Sequence, residues 1–521
     1  MKRRHALQLP ALALAGCEAG HTPLTGGFVG QSVDRGHLLR QERGWPPPAV
    51  VRRTGAVIAG GGIAGLAAAR ALRQRGVDDF VLLELEDEAG GNSRGGSIGG
   101  LACPLGAHYL PVPGDDVPEV QQLLEELGLR RRVAGRWEYD ELHLCHSPQE
   151  RLFFRGAWQD GLLPVEGVGT ATQAEYRRFA AQLEALRRAE HFAIPVQRSA
   201  FGPAQRDLDA LTFAAWLDRE GYRDPQLRWY LDYCCRDDYG AGLARVSAWA
   251  GIHYFASRHG FHAPGDEDGE REPVLTWPEG NAFLARALAR PLGDRLRPGR
   301  VVLRIAEGRG GVEVDAWNVV AQQVERWTAP AAVVALPLHV AARVVEGPPE
   351  VLREAAGAIP HAPWLVANVR IESPLADRPG PAPSWDNVLY GTAGLGYVDA
   401  GHQSLDPAPG PTVLSWYRPL GDMEGGRRQL LERPWTAWRD ELLAELAVPH
   451  PDLPAAARRI EIARYGHAMA MPVPGSLARV ARWGATPGTG RLAFAHSDWS
   501  AYSVFEEAFV RGLAAGQGLR T

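Results

Sequence analysis

The sequence predicts an α/β fold, and three features of the 521-residue chain carry that prediction. A short apolar run, Ala56 to Ala59, leads into Gly60, Gly62 and Gly65 in G-x-G-x-x-G spacing, and an Ala/Leu/Arg pattern of helical period follows. A second apolar run, Phe80 to Leu83, ends on an acid, Glu84. Short β-rich runs return at Val301 to Ile305, Val312 to Val314 and Ala331 to Leu336, and again at Arg491 to Ala495, which feeds a last helical pattern.

Each part of the first stretch has a physical task. Gly60 permits a tight turn, Gly62 lets a pyrophosphate approach the main chain, and Gly65 lets the helix pack close to the strand. The N–H groups of Ile63 and Ala64, at the helix start, are left for the phosphate. Glu84 stands at a strand end, about 20 residues past the glycines, where a ribose hydroxyl needs a carboxylate acceptor. Glu86 is a rival for that task, and Glu84 also reads as a solvated strand-end charge. Strand, turn, helix and acid together predict a Rossmann-like, dinucleotide-binding domain.

Gly90-Gly91 follows six residues after Glu84. The run LLELEDEAGGNSR resembles the ribose-binding acid and Gly-Gly turn of the flavin-containing amine oxidase superfamily, which includes monoamine oxidases, protoporphyrinogen oxidases and phytoene desaturases. The resemblance implies FAD, with Gly90 and Gly91 beneath its flavin side. The family usually has Arg directly after the glycines, whereas this chain has Asn92, with Arg94 two positions on. Pro104 to Tyr109, which contains His108, is similar to the family's next strand and turn, beside the isoalloxazine. By the same resemblance Val302 offers main-chain groups to the adenine; read alone, it is an ordinary sheet residue.

The chain opens MKRRHALQLPALALAGC, basic and then apolar, too short to span a bilayer and shaped like a signal segment. Leu14 to Cys17 resembles a lipobox, which implies export, a lipid anchor at Cys17 and a periplasmic or outer-face location. The alternative is an Ala/Leu-rich tail on a cytoplasmic protein. Residues 18–53, rich in Gly, Pro and mixed charge, read as a tether and lead-in. With the resemblance, the rest divides into a discontinuous FAD-binding domain (54–115, 275–345 and 485–521) and an α+β substrate domain. The latter has a helical part (116–274) and an antiparallel sheet part (346–484).

A formal charge of -5 without blocks leaves no nucleic-acid footprint. No Cys or His spacing points to a metal, and the adjacent Cys234 and Cys235 read as packed thiols ahead of a redox pair. Covalent flavin attachment through a C-terminal cysteine is excluded because no Cys follows Cys235, so FAD is expected to be noncovalent. Asp237-Asp238 reads either as a holder of a cationic substrate or as a helix-end ion pair.

The C-terminal run His496 to Tyr502 supplies Asp498, matching the family's acid near the ribityl-pyrophosphate. Trp499 to Tyr502 is similar to the W-S-x-Y of monoamine oxidases, which makes Tyr502 one wall of an aromatic cage, or else a core aromatic. Tyr465 and His467 are candidates for the opposite wall. The resemblance implies hydride transfer from an amine or polyamine to the flavin, with O2 or another acceptor. Its alternatives are a desaturase or isomerase of an apolar ligand and a flavin-binding protein without oxidase activity. Lys2 is the sole lysine, so the lysine that many amine oxidases keep near the flavin has no counterpart.

Overall fold

The computed structural model describes residues 24–40, 44–146, 148–258, 260–265, 273–376, 378–404, 410–484 and 488–520. The segment expected to act as a signal, with Cys17, lies outside them. No helix among the described residues is long and apolar enough to cross a membrane.

The central sheet gathers strands from distant parts of the chain. Leu296–Arg297, Val81–Leu83, Ala56–Ala59, Ala331–Val334 and Leu492–Phe494 lie side by side in that order, all parallel, and Gly488–Thr489 adds an antiparallel edge. Every residue of Ala56–Ala59, Val81–Leu83 and Ala331–Val334 is buried, as continuous apolar runs must be in a parallel sheet covered on both faces. Helix Ile63–Gln74 packs along helix Phe505–Gly518, and Arg75 Nη1 donates to the carbonyls of Gly516 and Leu519, both at 2.8 Å. That bond places a guanidinium where a helix C-terminus has unpaired carbonyls. Beside this layer, Arg300–Gly308, Gly311–Asn318 and Gln323–Ala329 form an antiparallel meander, with Val50–Arg53 parallel at its edge.

The second layer is an eight-stranded sheet in the order Thr25–Val29, Ala457–Ala470, His361–Ile371, Thr412–Pro419, Tyr397–Asp399, Asp386–Leu389, Glu150–Phe154, Ala157–Asp160. It is antiparallel except at two places. Thr25–Val29 runs parallel to Ala457–Ala470, and Glu150–Phe154 parallel to Asp386–Leu389. Strand His361–Ile371 lies inside the sheet and is buried at every residue but Arg370. Helix Trp435–Leu446 covers one face through Trp438, Leu442 and Leu446, spaced four apart on one stripe. The segment expected as a tether is corrected here. Thr25–Val29 and Val50–Arg53 each add an edge strand, because an edge offers unpaired N–H and C=O groups to a passing extended segment.

Helices Thr170–Ala189, Pro225–Tyr239 and Ala248–Ala256 pack against one another. The middle one starts with Pro at its first turn and with Asp224 accepting from Gln226 N and Leu227 N, at 3.0 and 2.9 Å, and it ends at Gly240 in the left-handed conformation. Asp237 and Asp238 therefore sit in its last turn, where the helix dipole disfavours negative charge.

Candidate active site

A cavity of about 450 Å³ runs from the glycine turn to the end of helix Pro225–Tyr239. At its first end Gly60 has φ +100°, open to glycine and costly for other residues. A Cβ on Gly65 would lie 1.9 Å from the Gly60 carbonyl oxygen, so the third glycine lets the helix touch the turn. Helix Ile63–Gln74 has no side-chain cap, and its first N–H groups, on Ile63 and Ala64, border the cavity. An anion placed there meets unpaired donors and the positive end of the dipole.

Glu84 is buried against this turn. Its Oε2 accepts from Gly61 N at 2.7 Å and its Oε1 from Glu86 N at 2.8 Å, while burial raises its pKa above the usual carboxylate range. Glu86 is occupied: it accepts from Ser32 N and Ser32 Oγ at 2.9 and 2.6 Å and lies 3.6 Å from Arg94 Nη1. Of the two acids, Glu84 is the one without a side-chain partner among the described residues.

Gly90, Gly91, Asn92 and Arg94 border the cavity too. Asn92 Nδ2 donates to Ala468 O at 2.8 Å, tying the turn to the eight-stranded sheet. Arg94 Nη2 donates to Gly30 O at 2.9 Å, and its buried Nε has no hydrogen-bond partner among the described residues. Val302 borders the cavity where its strand pairing shifts register, before Arg304. Neighbouring Arg300 N donates to Glu84 O at 2.7 Å, which sets this strand beside the acid.

The far end is aromatic and acidic. Two phenols hang from the loop between Leu105 and His108: Tyr465 donates to Leu105 O at 2.6 Å and Tyr417 to Gly106 O at 3.1 Å. His108 packs on Tyr417 with ring centroids 4.3 Å apart, and burial pushes its pKa down to about 3, so it is neutral. His467 stacks on His339 at 4.1 Å and is likewise pushed down to about 3, first by burial and then by neighbouring His339. Trp364 and Val366 complete that wall. Facing them are Asp237, Asp238, Arg258 and Glu506. Asp237 accepts from the Tyr109 hydroxyl at 3.5 Å, and burial, followed by the Asp238 charge, lifts it to about 7. Glu506 is lifted to about 7 mainly by burial. Arg258 pairs with Asp238 at 3.2 Å, which gives that acid a counter-charge.

Two expected site residues are placed elsewhere. Tyr502 does not border this cavity; it is 2% exposed, donates to Asp238 Oδ2 at 2.5 Å and accepts from Arg258 Nη2 at 2.8 Å. A buried phenol needs such partners, and these hold it behind the wall. Asp498 does not border the cavity either, although His496 and Ser497 do. Its carboxylate turns inward, accepting from Leu338 N at 3.0 Å beside His361. Gly65 also stands behind the lining, as its packing role requires. Arg258, Glu506 and Tyr417 escaped sequence reasoning. A signal for Asp237 was present: two acids at a helix C-terminus, where the dipole makes them costly.

The pattern of the flavin containing amine oxidoreductase family matches residues 63–422, more than half of the chain. The chain belongs to that family. Its cofactor is therefore FAD, and the protein is an FAD-dependent oxidoreductase. The residues fit this group: unpaired helix N–H groups for the pyrophosphate, Glu84 for a ribose, and main chain at Val302 and the Gly90-Gly91 turn.

Among solved structures, the fold is similar to wild-type putrescine oxidase bound to putrescine, with TM-score 0.65 at 18% identity over 89% of this chain and 98% of that one. Cyclohexylamine oxidase from Brevibacterium oxydans IH-35A gives 0.63 at 18% identity, over 90% and 98%. A fatty acid isomerase from P. acnes that produces CLA gives 0.59 at 16% identity, over 88% and 97%. At such identities the likeness is one of fold. A Baeyer-Villiger monooxygenase from Pseudomonas aeruginosa is 36% identical over 94 residues, and the chain spans 18% of that relative's length.

Proposed function

We propose that this flavoenzyme oxidises an amine or polyamine at the carbon next to nitrogen. The observation that carries the reading is the far end of the cavity, where Asp237 and Asp238 face aromatic walls. FAD, held at the glycine turn, Glu84 and the Gly90-Gly91 turn, would supply the two-electron acceptor for the hydride equivalent leaving that carbon.

An amine arrives at neutral pH as an ammonium ion, attracted by the two carboxyl groups. Asp237, lifted to about 7 and touched by the Tyr109 hydroxyl, takes the ammonium proton and leaves the amine neutral for oxidation. Arg258 pairs with Asp238 at 3.2 Å, so Asp237 is the carboxyl group of the two left to exchange a proton with the amine. Tyr417, Tyr465, Trp364 and neutral His108 present ring faces, exclude bulk water and hold the amine's carbon chain. Lysine has no part in this, since Lys2 is the only one. An apolar ligand, the alternative, would meet three carboxyl groups at this end.

The test is anaerobic addition of monoamines, diamines and polyamines to the FAD-loaded protein while the flavin absorbance is followed. Bleaching by one of them supports the reading. A flavin band unmoved by the whole panel, yet bleached by dithionite, overturns it.

A further inference from the structure

We propose that His339, His361 and Asp498 bind one divalent transition-metal ion of the zinc class, one layer behind the cavity wall. The three come from separate parts of the fold. His339 lies in helix Leu338–Val344, which follows the central strand Ala331–Val334. His361 is the first residue of strand His361–Ile371 in the eight-stranded sheet, and Asp498 lies in the turn after Leu492–Phe494. An ion here joins the two sheets.

The donor atoms are gathered as ligands are. One from each residue lies within 4.8 Å of the other two. Zinc bonds of about 2.0–2.2 Å place tetrahedral donors about 3.4 Å apart, so small ring rotations close the set. His361 Nε2 is 3.0 Å from Asp498 Oδ2, yet it is buried without a hydrogen bond among the described residues. The pair is close enough to bond and is not aligned to do so, which is how two ligands of one ion stand. The His361 side chain is 6% exposed, and Asp498 2%. His339 Nδ1 is also buried without a partner among the described residues. Such orphaned atoms are costly in an apolar interior, and one bound ion would satisfy both.

The charges point the same way. Asp498 Oδ2 accepts from Leu338 N at 3.0 Å, which orients the carboxylate. His496 Nδ1 accepts from Asp498 N at 3.1 Å. Among the described residues no arginine pairs with this buried carboxylate. Two imidazoles and one carboxylate suit zinc, cobalt or nickel and not the all-oxygen preference of magnesium or calcium. His467, stacked on His339 at 4.1 Å, couples the ion's position to the cavity wall.

The experiment uses the FAD-loaded enzyme. It is stripped with chelator, incubated with Zn2+, passed through gel filtration and analysed for metal and flavin. The expected result is one equivalent of zinc in the wild type. His361→Gln and His339→Asn should each retain at least tenfold less, with the flavin-to-protein ratio unchanged, since neither residue borders the cavity. Co2+ added to the stripped wild type should give visible bands to the red of the flavin absorption, a readout that survives should both variants fail to fold. Less than a tenth of an equivalent in the wild type, no cobalt bands, or equal retention by folded His361→Gln overturns the proposal.

Discussion

Replacing Gly65 by Ala tests the geometry of the cofactor turn most directly. The added Cβ would lie 1.9 Å from Gly60 O and 3.0 Å from Gly60 C, both main-chain atoms that cannot rotate away. An ordinary carbon–oxygen contact needs about 3.4 Å, so helix and turn must separate by roughly 1.5 Å. Gly60 has no room to retreat, because the space beside it is filled by Ala335 O, 2.3 Å from where its own Cβ would be. The helix start must therefore move. Overpacking of this kind costs about 1–3 kcal/mol of stability. A shift of that size also breaks at least one hydrogen bond between the helix N–H groups and a phosphate, about 1.5–3 kcal/mol each for a charged acceptor.

At about 1.4 kcal/mol per tenfold, FAD should bind at least tenfold more weakly. Titration of FAD into the apoprotein, followed by fluorescence quenching, measures this, and thermal melting of the apoprotein measures the strain. Gly62→Ala separates the two effects. Its Cβ would meet nothing closer than Gly91 Cα at 3.9 Å, and its φ of -71° suits alanine. That variant should melt nearly as the wild-type apoprotein does and still bind FAD at least tenfold more weakly, since the empty space is the cofactor's. Wild-type FAD affinity in Gly65→Ala, with an unchanged melting temperature, would refute this account of the turn.

Other substitutions address the rest of the site. Glu84→Gln retains one acceptor oxygen for two buried N–H groups and should weaken FAD about tenfold or more, read by the same titration. Asp237→Asn should lower kcat/KM for the reactive amine at least tenfold at pH 8 and abolish the limb near pH 7 in its pH profile. Because the native carboxyl of Asp237 is raised to about 7, it keeps its proton where the unfolded one has lost it. Native stability therefore falls as pH climbs from the ordinary carboxylate range to about 7. Asp237→Asn should accordingly melt higher than wild type above pH 7 and equally at pH 4. Tyr502→Phe removes the hydroxyl between Asp238 and Arg258 and should cost about 1–3 kcal/mol in calorimetric stability, with KM changed less than threefold. A Tyr502 in the cavity wall would give the reverse, a raised KM at unchanged stability.

The parts readable from the sequence are those whose function depends on neighbours along the chain. Gly60, Gly62 and Gly65 make a turn and a helix start through their own spacing, and Glu84 reaches that turn because a strand of fixed rise ends on it. Runs buried on both faces, such as Ala56–Ala59 and Ala331–Val334, are apolar throughout, so the parallel layer was legible too. The antiparallel centre of the second sheet could be read from its β-rich runs, but its parallel edges could not, because Thr25–Val29 has no periodicity apart from the strand it pairs with.

The far end of the cavity was decided by tertiary structure. Tyr502 and Asp498 stand in a motif that resembles a substrate wall and a cofactor contact, yet a buried hydroxyl or carboxylate takes whichever partner folding brings within hydrogen-bond distance. For Tyr502 that partner is Asp238, 264 positions away in the chain, and for Asp498 it is the Leu338 main-chain N–H, 160 positions away. Asp237 differs from Asp238 for the same reason. Both occupy one helix end, but Arg258 reaches Asp238 and leaves Asp237 protonatable near neutral pH. Local spacing determines backbone geometry, whereas the charge state and direction of a buried side chain depend on partners that only packing supplies.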